Sequence, residues 1–235
     1  MPRTSVTATT YGSDRRKRQA MSRSSARSAV IARSRGAAPY SRRGELKTVD
    51  VNYGQITLNA TQSSVTTLNG VALGNYFYNR IGNKVTPVSI DSDILVSNNS
   101  TNAAGWAIVR VALIWDKQPT GAVPAYADIF QDVNSAGTAV STGFSGRNLQ
   151  TSDRFTTISH TDLVVPPLNA ANGSGNVRRF KYYKKLSGFQ QQFKGDAATI
   201  ASISTGALYL VLYAPTDATN TVDVWADHRF RYYDL

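Results

Sequence analysis

Eight extended segments between residues 46 and 233 are separated by polar turns rather than by helices. They are rich in Val, Ile, Thr and Tyr, which favour strands. Their ranges are 46–59, 84–97, 105–116, 153–165, 176–186, 188–194, 207–213 and 221–233. Long polar connections at 60–83, 117–152 and 166–175 separate them. Because strands and helices do not alternate, the pattern favours two packed sheets. We predict an all-β fold, a single eight-stranded jelly-roll sandwich.

Alternation within the second segment, 84–97, predicts which side chains face the core. Its apolar face carries Val88, Ile90, Ile94 and Val96. Asp91 and Asp93 share the opposite face, where two carboxylates could contribute to a calcium site between subunits. Carboxylates on the outer face of a strand are more often solvated, so we predict no metal site. The one helical pattern, VPAYADIF at 123–130, has a proline suited to a first helical turn.

Net charge divides the chain into two parts. The sequence contains 26 Lys and Arg residues and 15 Asp and Glu residues, a net +11. Residues 1–47 hold twelve of the basic residues and two acids, a net +10, whereas residues 48–235 hold 14 and 13, a net +1. Large apolar side chains are few between Thr4 and Arg43, too few to offset the entropy of ordering. We predict a disordered basic arm at 1–47 and one β domain at 48–235.

A basic arm on a nearly neutral body needs a polyanionic partner. Arginine stays charged and forks onto phosphate oxygens, so such an arm can follow a flexible single strand without reading its bases. The candidate nucleic-acid-binding residues of the arm are Arg15, Arg16, Lys17, Arg18, Arg23, Arg27, Arg33, Arg35, Arg42 and Arg43. The alternative is a nonspecific solubility or targeting tail. Residues Arg15–Arg18, RRKR, also fit a nuclear import signal, although short basic motifs arise readily by chance.

The segment RRFKYYKKL, residues 178–186, is a second candidate for nucleic-acid binding. Basic side chains beside aromatic rings suit a single strand, whose bases stack and whose phosphates pair with cations. At strand spacing, one face carries Arg178 and Lys184 and the other carries Arg179, Lys181 and Lys185. The alternative is a core strand with a solvated basic face. The C-terminal HRFRYY has the same two interpretations.

Several kinds of site are not supported by the composition. Cys is absent, which removes disulfides and thiolate zinc sites. His160 and His228 are the only histidines, and neither has a partnered nucleophile nearby. His228 lies in the apolar register of the last segment, which predicts a core histidine. No apolar run reaches the length of a membrane span, and no apolar segment of a secretory signal follows the first basic residues. We therefore expect no enzyme, no cofactor and no membrane partner.

Six segments occur in an order that resembles a viral family. They are YFYNRIGNKVTPVSIDSDILVS, WAIVRVALIWDKQPTGAVPAYADIF, DRFTTISHTDLVV, RRFKYYKKL, GALYLVLY and RFRYYDL. Over residues 76–235, and in the character of its arm, the chain resembles the capsid proteins of small circular, Rep-encoding single-stranded DNA viruses. It is similar to the geminivirus-like branch and, more distantly, to satellite tobacco necrosis virus coat protein. The resemblance implies a single jelly roll, an Arg-rich interior arm, a shell of about sixty copies and no catalytic motif.

The residues and the resemblance together predict a capsid protein that packages single-stranded DNA through its arm. RNA would satisfy the same phosphate chemistry. One alternative is a non-capsid nucleic-acid-binding protein, such as a movement or nuclear-shuttle protein. Another is a carbohydrate-binding or enzymatic jelly roll, which would need a polar pocket or a metal-ligating His cluster. The expected partners are further copies of the chain, single-stranded DNA and a nuclear import receptor. The expected locations are the virion and, before assembly, the host nucleus.

Overall fold

The computed structural model describes residues 44–59, 63–99, 105–134, 136–140, 142, 144–167, 176–214 and 221–234. Two main sheets contain ten of its strands, and eight of these ten have five or more residues. These eight are β1 (Leu46–Asn59), β2 (Ser63–Thr67), β3 (Lys84–Asn98), β4 (Ala107–Asp116), β7 (Phe155–Val165), β8 (Val177–Lys185), β11 (Ala207–Tyr213) and β12 (Thr221–Asp234). Four short strands are β5 (Asp132–Val133), β6 (Ala139–Val140), β9 (Gln191–Phe193) and β10 (Ile203–Thr205). The helices are α1 (Tyr126–Ile129) and two 3-10 turns, Leu149–Thr151 and Ile200–Ser202.

Both sheets are antiparallel, and successive strands along the chain mostly belong to different sheets. The first runs β1-β12-β3, and the other side of β3 pairs with β8 along most of its length and with β9 at its start. The second runs β2-β11-β4-β7. Most connections between long strands cross from one sheet to the other, which is the jelly-roll arrangement. The predicted all-β jelly-roll class is therefore confirmed. No helix in the described residues is long and apolar enough to cross a membrane.

Four strands, β2, β5, β6 and β10, were not predicted, and one predicted segment is mostly not a strand. β2 lies inside the predicted polar connection 60–83, because its residues SSVTT pair with the apolar β11 and need little apolar character of their own. The predicted segment 188–194 contains only the three-residue β9. Gly188 precedes it with a φ of +95°, which turns the chain out of strand geometry. Within the described residues the structure therefore has twelve strands rather than eight.

The first strand begins inside the predicted arm. β1 starts at Leu46, and Lys47 is buried with its Nζ 3.0 Å from Oδ2 of Asp234. The same Nζ donates to the carbonyl of Asn79 at 2.8 Å. Lys47 is therefore a structural cation of the β domain and is not available to nucleic acid. The predicted division of the chain into arm and domain stays a prediction, since residues 1–43 lie outside the described residues.

Arg80 links the connection between β2 and β3 to the rest of the sandwich by hydrogen bonds. Its side chain is fully buried, at 0% exposure. Nε donates to the carbonyl of Val71 at 3.1 Å, and Nη1 donates to that of Gly82 at 2.7 Å. Nη2 donates to the carbonyl of Gly195, and the guanidinium lies 4.1 Å from the ring centroid of Phe193. One side chain thus joins two connections that are more than a hundred residues apart in sequence.

Candidate nucleic-acid interface

The predicted binding residues of the arm lie outside the described residues. They are Arg15, Arg16, Lys17, Arg18, Arg23, Arg27, Arg33, Arg35, Arg42 and Arg43. Their part in nucleic-acid binding, and that of Arg15–Arg18 in nuclear import, stay predictions.

The second predicted segment forms β8, which is an edge strand. In the described part of the chain β8 pairs only with β3. Its alternation puts Arg179, Lys181 and Lys185 on the outer face of the sheet, as predicted, and these side chains are exposed. The other face carries Arg178 and Lys184 beside two half-buried aromatic rings.

Asp93 partly neutralises this outer face. Nε of Arg179 donates to Oδ1 of Asp93 at 2.7 Å, and Nζ of Lys181 lies 3.1 Å from Oδ2. The hydrogen bonds from Arg179 outweigh the small desolvation cost and lower the pKa of Asp93 to about 2. Lys181 lies directly opposite Asp93 in the register of β3 and β8. Two of the predicted phosphate-binding cations are therefore already engaged by a carboxylate.

The middle of the same face, on β1, β12 and β3, is rich in acids. Asp227 lies opposite Asp93, and Asp91 lies opposite Arg229. Arg229 itself binds Asp50 through two hydrogen bonds of 2.7 and 2.8 Å. These side chains surround a shallow depression of about 520 Å³. The described residues contain no group of three or more acidic or metal-ligating side chains that could hold an ion, and the calcium interpretation of Asp91 and Asp93 gains no support.

Two cations on this face have no acidic group within ion-pair distance in the described residues, although the charge of Arg231 still acts on Asp50. Arg231 and Lys185 form no ion pair there. They belong to one row across the sheet, because Ser89 of β3 lies opposite both residues. Alternate strands are about 10 Å apart, so the two charges have roughly that spacing. The positive charge left over on the outer face is therefore concentrated at the end of the sheet where β1 begins.

Three aromatic residues, Tyr76, Phe77 and Tyr78, lie next to this row and were not among the predicted site residues. Their side chains are 66%, 75% and 41% exposed. Tyr76 stacks on Tyr78 at 5.4 Å between centroids, and Phe77 meets Tyr78 edge-on at 5.1 Å. Phe77 and Tyr78 line a depression of about 480 Å³ together with Arg229, Arg231 and residues 48–50 of β1. The sequence signal was available, since NYFYN is an aromatic cluster within an otherwise polar connection.

His228 is a core histidine, as predicted. Its side chain is buried, and its Nδ1 lies 2.6 Å from Oγ of Ser92. Its ring also meets Tyr53 edge-on at 6.1 Å. Desolvation lowers the pKa of His228 to about 4. His160 is exposed on β7, which belongs to the other sheet.

Burial of neutral His228 predicts a loss of stability at mildly acidic pH. Its pKa is about 4 in the folded protein against an ordinary value of 6.5, so the unfolded chain takes up the proton first. The stabilisation is complete above pH 6.5 and is lost as the pH falls towards 4, by up to about 3 kcal/mol. Urea unfolding at several pH values across this window measures it.

The control for this prediction is His228→Gln, which cannot titrate. Its free energy of unfolding should change much less over the window, because the variant has no imidazole at this position and Asp93, with a pKa of about 2, stays ionised throughout. An identical pH dependence for wild type and His228→Gln would contradict the prediction.

Structural comparison gives viral proteins at low similarity. The subviral particle of infectious bursal disease virus VP2 matches with a TM-score of 0.30 and 8% identity, over 83% of this chain and 36% of that chain. A structure of deformed wing virus matches at 0.24 and 13%, over 76% of this chain and 74% of that chain. The Washington University Polyomavirus VP1 pentamer matches at 0.23 and 9%, over 85% and 97%. This chain spans about a third of the length of the first of these proteins.

Sequence comparison is more decisive. No curated protein sequence matches the chain. A family model matches residues 2–235, which includes the basic arm as well as the segments on which the resemblance was based. The protein therefore belongs to the geminivirus coat protein/nuclear export factor BR1 family.

Proposed function

We propose that the protein is a viral capsid protein that self-assembles into an icosahedral shell and packages single-stranded DNA through its N-terminal arm. Family membership supports the coat-protein role. The observation that carries the packaging role is the charge division, with a net +10 in residues 1–47 and +1 in the remainder. A jelly-roll domain supplies a rigid wall unit, and the arm supplies the charge that a polyanionic genome requires.

Packaging works through counterion release. Each phosphate that meets an arginine frees a condensed cation, which favours binding whatever the base sequence. With about sixty copies and ten net charges per arm, the arms would neutralise on the order of 600 phosphates. A sequence-specific reader would need far fewer charges.

The basic residues on the surface of the β domain are partly neutralised, which supports the arm as the main DNA-binding element. Asp93 engages Arg179 and Lys181, and Asp50 engages Arg229. These pairs lie on an exposed face and leave a small net charge there. We propose that the remaining basic residues of β8, Arg178, Lys184 and Lys185, make secondary phosphate contacts.

Assembly distinguishes the capsid from other nucleic-acid-binding proteins. Full-length protein mixed with single-stranded DNA at near-physiological salt should give uniform closed particles in negative-stain microscopy and one fast species in sedimentation. A closed shell is expected because contacts that obey a closed point-group symmetry limit growth to a fixed number of copies. Only monomers or small oligomers across a range of DNA ratios would contradict the capsid proposal.

A second candidate is a nuclear shuttle protein, because the family also includes a nuclear export factor. Arg15–Arg18 is the proposed import signal under either function. In a fluorescent fusion, replacement of these four residues by Ala should leave the protein in the cytoplasm. Unchanged nuclear accumulation would exclude this motif as the signal. Nuclear entry together with failure to assemble would favour the shuttle.

A further inference from the structure

The aromatic side chains of Tyr76–Tyr78 are exposed although the loop that carries them is firmly held. The hydroxyl of Tyr232 donates to the carbonyl of Tyr78 at 3.1 Å. The backbone NH of Ile81 donates to Oδ2 of Asp234 at 2.7 Å. Arg80 and Lys47 fix the same loop from inside, as described above. An exposed aromatic group on a rigid support loses little entropy on binding, which is a property of recognition surfaces.

The chemistry beside these rings matches single-stranded nucleic acid. The depression at Phe77 and Tyr78 also contains Arg229 and Arg231 and has a volume of about 480 Å³. Its one carboxylate, Asp50, is ion-paired with Arg229 and interacts with Arg231 only at longer range, so the site keeps a net positive charge. Aromatic faces stack on any base and a free guanidinium pairs with phosphate, the combination used by proteins that bind single strands.

The same row of the sheet continues the pattern. Lys185 lies across β3 from Arg231. Tyr183, 53% exposed, lies one row further along the same face, opposite Asp91. By contrast, the middle of the face presents Asp91, Asp93 and Asp227, which would repel phosphate. Charge and aromatic content therefore favour one route, along the end of the sheet where the arm is covalently attached.

We propose that Phe77, Tyr78 and Arg231 form a base-stacking and phosphate-binding subsite for single-stranded DNA, continued by Lys185. This inference rests on the proposed function for the identity of the polyanion. In this proposal the surface of the β domain binds nucleotides through their bases, which basic residues alone would not do. Binding stays independent of base sequence because every base offers a π-face.

The test compares two oligonucleotides of equal length, oligo-dT and an abasic strand with the same phosphates. With full-length protein under conditions that keep subunits unassembled, Phe77→Ala should weaken oligo-dT binding by about 5- to 100-fold. It should leave binding of the abasic strand unchanged. Arg231→Ala should weaken both strands and reduce the salt slope by about 0.7.

Matched controls are available on the same chain. Phe144 is 64% exposed on the connection between β4 and β7, and Lys194 is exposed without an ion pair in the described residues. Phe144→Ala and Lys194→Ala should leave the ratio between the two oligonucleotides as in wild type. Thermal unfolding of each variant verifies that its fold is retained, which is expected because Phe77, Phe144 and Lys194 are exposed and Arg231 is only half-buried.

Photocrosslinking locates the contact directly. Oligo-dT with bromodeoxyuridine substitutions should crosslink to the peptide that contains Phe77 and Tyr78. Crosslinks confined to residues 1–43, or unchanged oligo-dT affinity of Phe77→Ala, would overturn the subsite and leave packaging by the arm intact. If Phe77→Ala prevents assembly without changing oligo-dT affinity, the aromatic loop is a contact between copies and the subsite is likewise overturned. Failure of the arm itself is detected by a different variant, a deletion of residues 1–43.

Discussion

Deleting residues 1–43 is expected to reduce affinity for single-stranded DNA by a thousandfold or more at low salt, on the order of 10³ to 10⁴. The deletion removes eleven basic residues and one acid, a net +10. At about 0.7 counterions released per neutralised phosphate, the slope of log affinity against log salt should fall by up to about 7. Isothermal titration or fluorescence anisotropy over a range of salt concentrations measures both quantities.

The structure determines where this truncation should end. Gly44 packs so closely that a Cβ there would come within 1.3 Å of the carbonyl oxygen of Asp234. The backbone NH of Asp234 also donates to the carbonyl of Glu45 at 3.1 Å. Lys47 forms its buried ion pair with the same aspartate. A cut after residue 43 keeps these contacts, whereas a cut at the predicted boundary, residue 47, would remove part of β1.

A charge-matched control separates charge from sequence. A full-length variant with residues 1–43 scrambled keeps the same net charge and should keep both affinity and salt slope, because counterion release does not depend on residue order. If truncation leaves both quantities unchanged, the arm is not the packaging element. The basic segment of β8, residues 178–186, then becomes the better candidate.

The faces of the strands were largely predictable from alternation, because a strand repeats every two residues. β8 shows the expected faces, and His228 of β12 is buried as its apolar register predicted. Val88 was assigned to the core but is only half-buried, whereas Pro87 is buried. The register of β3 and β12 shifts opposite this point, between Arg231 and Tyr232. Such a bulge reverses the faces on one side of it, and no local sequence pattern indicates it.

The sequence shows which basic residues lie in the site, but it does not show which of them form ion pairs. Arg179 and Lys181 were identified as phosphate contacts because basic residues alternate with aromatic ones. Their engagement by Asp93 depends on the register between β3 and β8, whose residues are more than eighty positions apart. Register also explains why Arg231 is a candidate phosphate contact, since no carboxylate lies opposite it on β1 or β3. Strand register, rather than composition, decides which cations remain free.

Arg80 could not have been predicted as a core residue, because arginine is almost never fully buried without a partner. Its partners are mainly backbone carbonyls, those of Val71, Gly82 and Gly195, which carry no signature in the sequence. Desolvation lowers the pKa of its guanidinium, and the charges of Asp196 and Asp234 partly compensate. The burial of this charge is therefore tolerated only because the carbonyls and the ring of Phe193 surround it.

Arg80→Ala is accordingly expected to destabilise the β domain by about 3–5 kcal/mol, since it leaves buried carbonyls unsatisfied and opens a cavity. Urea unfolding of the full-length protein, followed by Trp fluorescence, measures the change. Arg178→Ala, which removes an exposed arginine, should change the free energy of unfolding by no more than about 0.5 kcal/mol. Arg80→Lys keeps the charge but loses the forked donors, so its stability should lie between the two. A free energy of unfolding for Arg80→Ala equal to that of Arg178→Ala would show that the connection between β2 and β3 is held by its other contacts.

Because Arg80 also supports the loop of Tyr76–Tyr78, its loss should weaken oligo-dT binding more than binding of the abasic strand, as in Phe77→Ala.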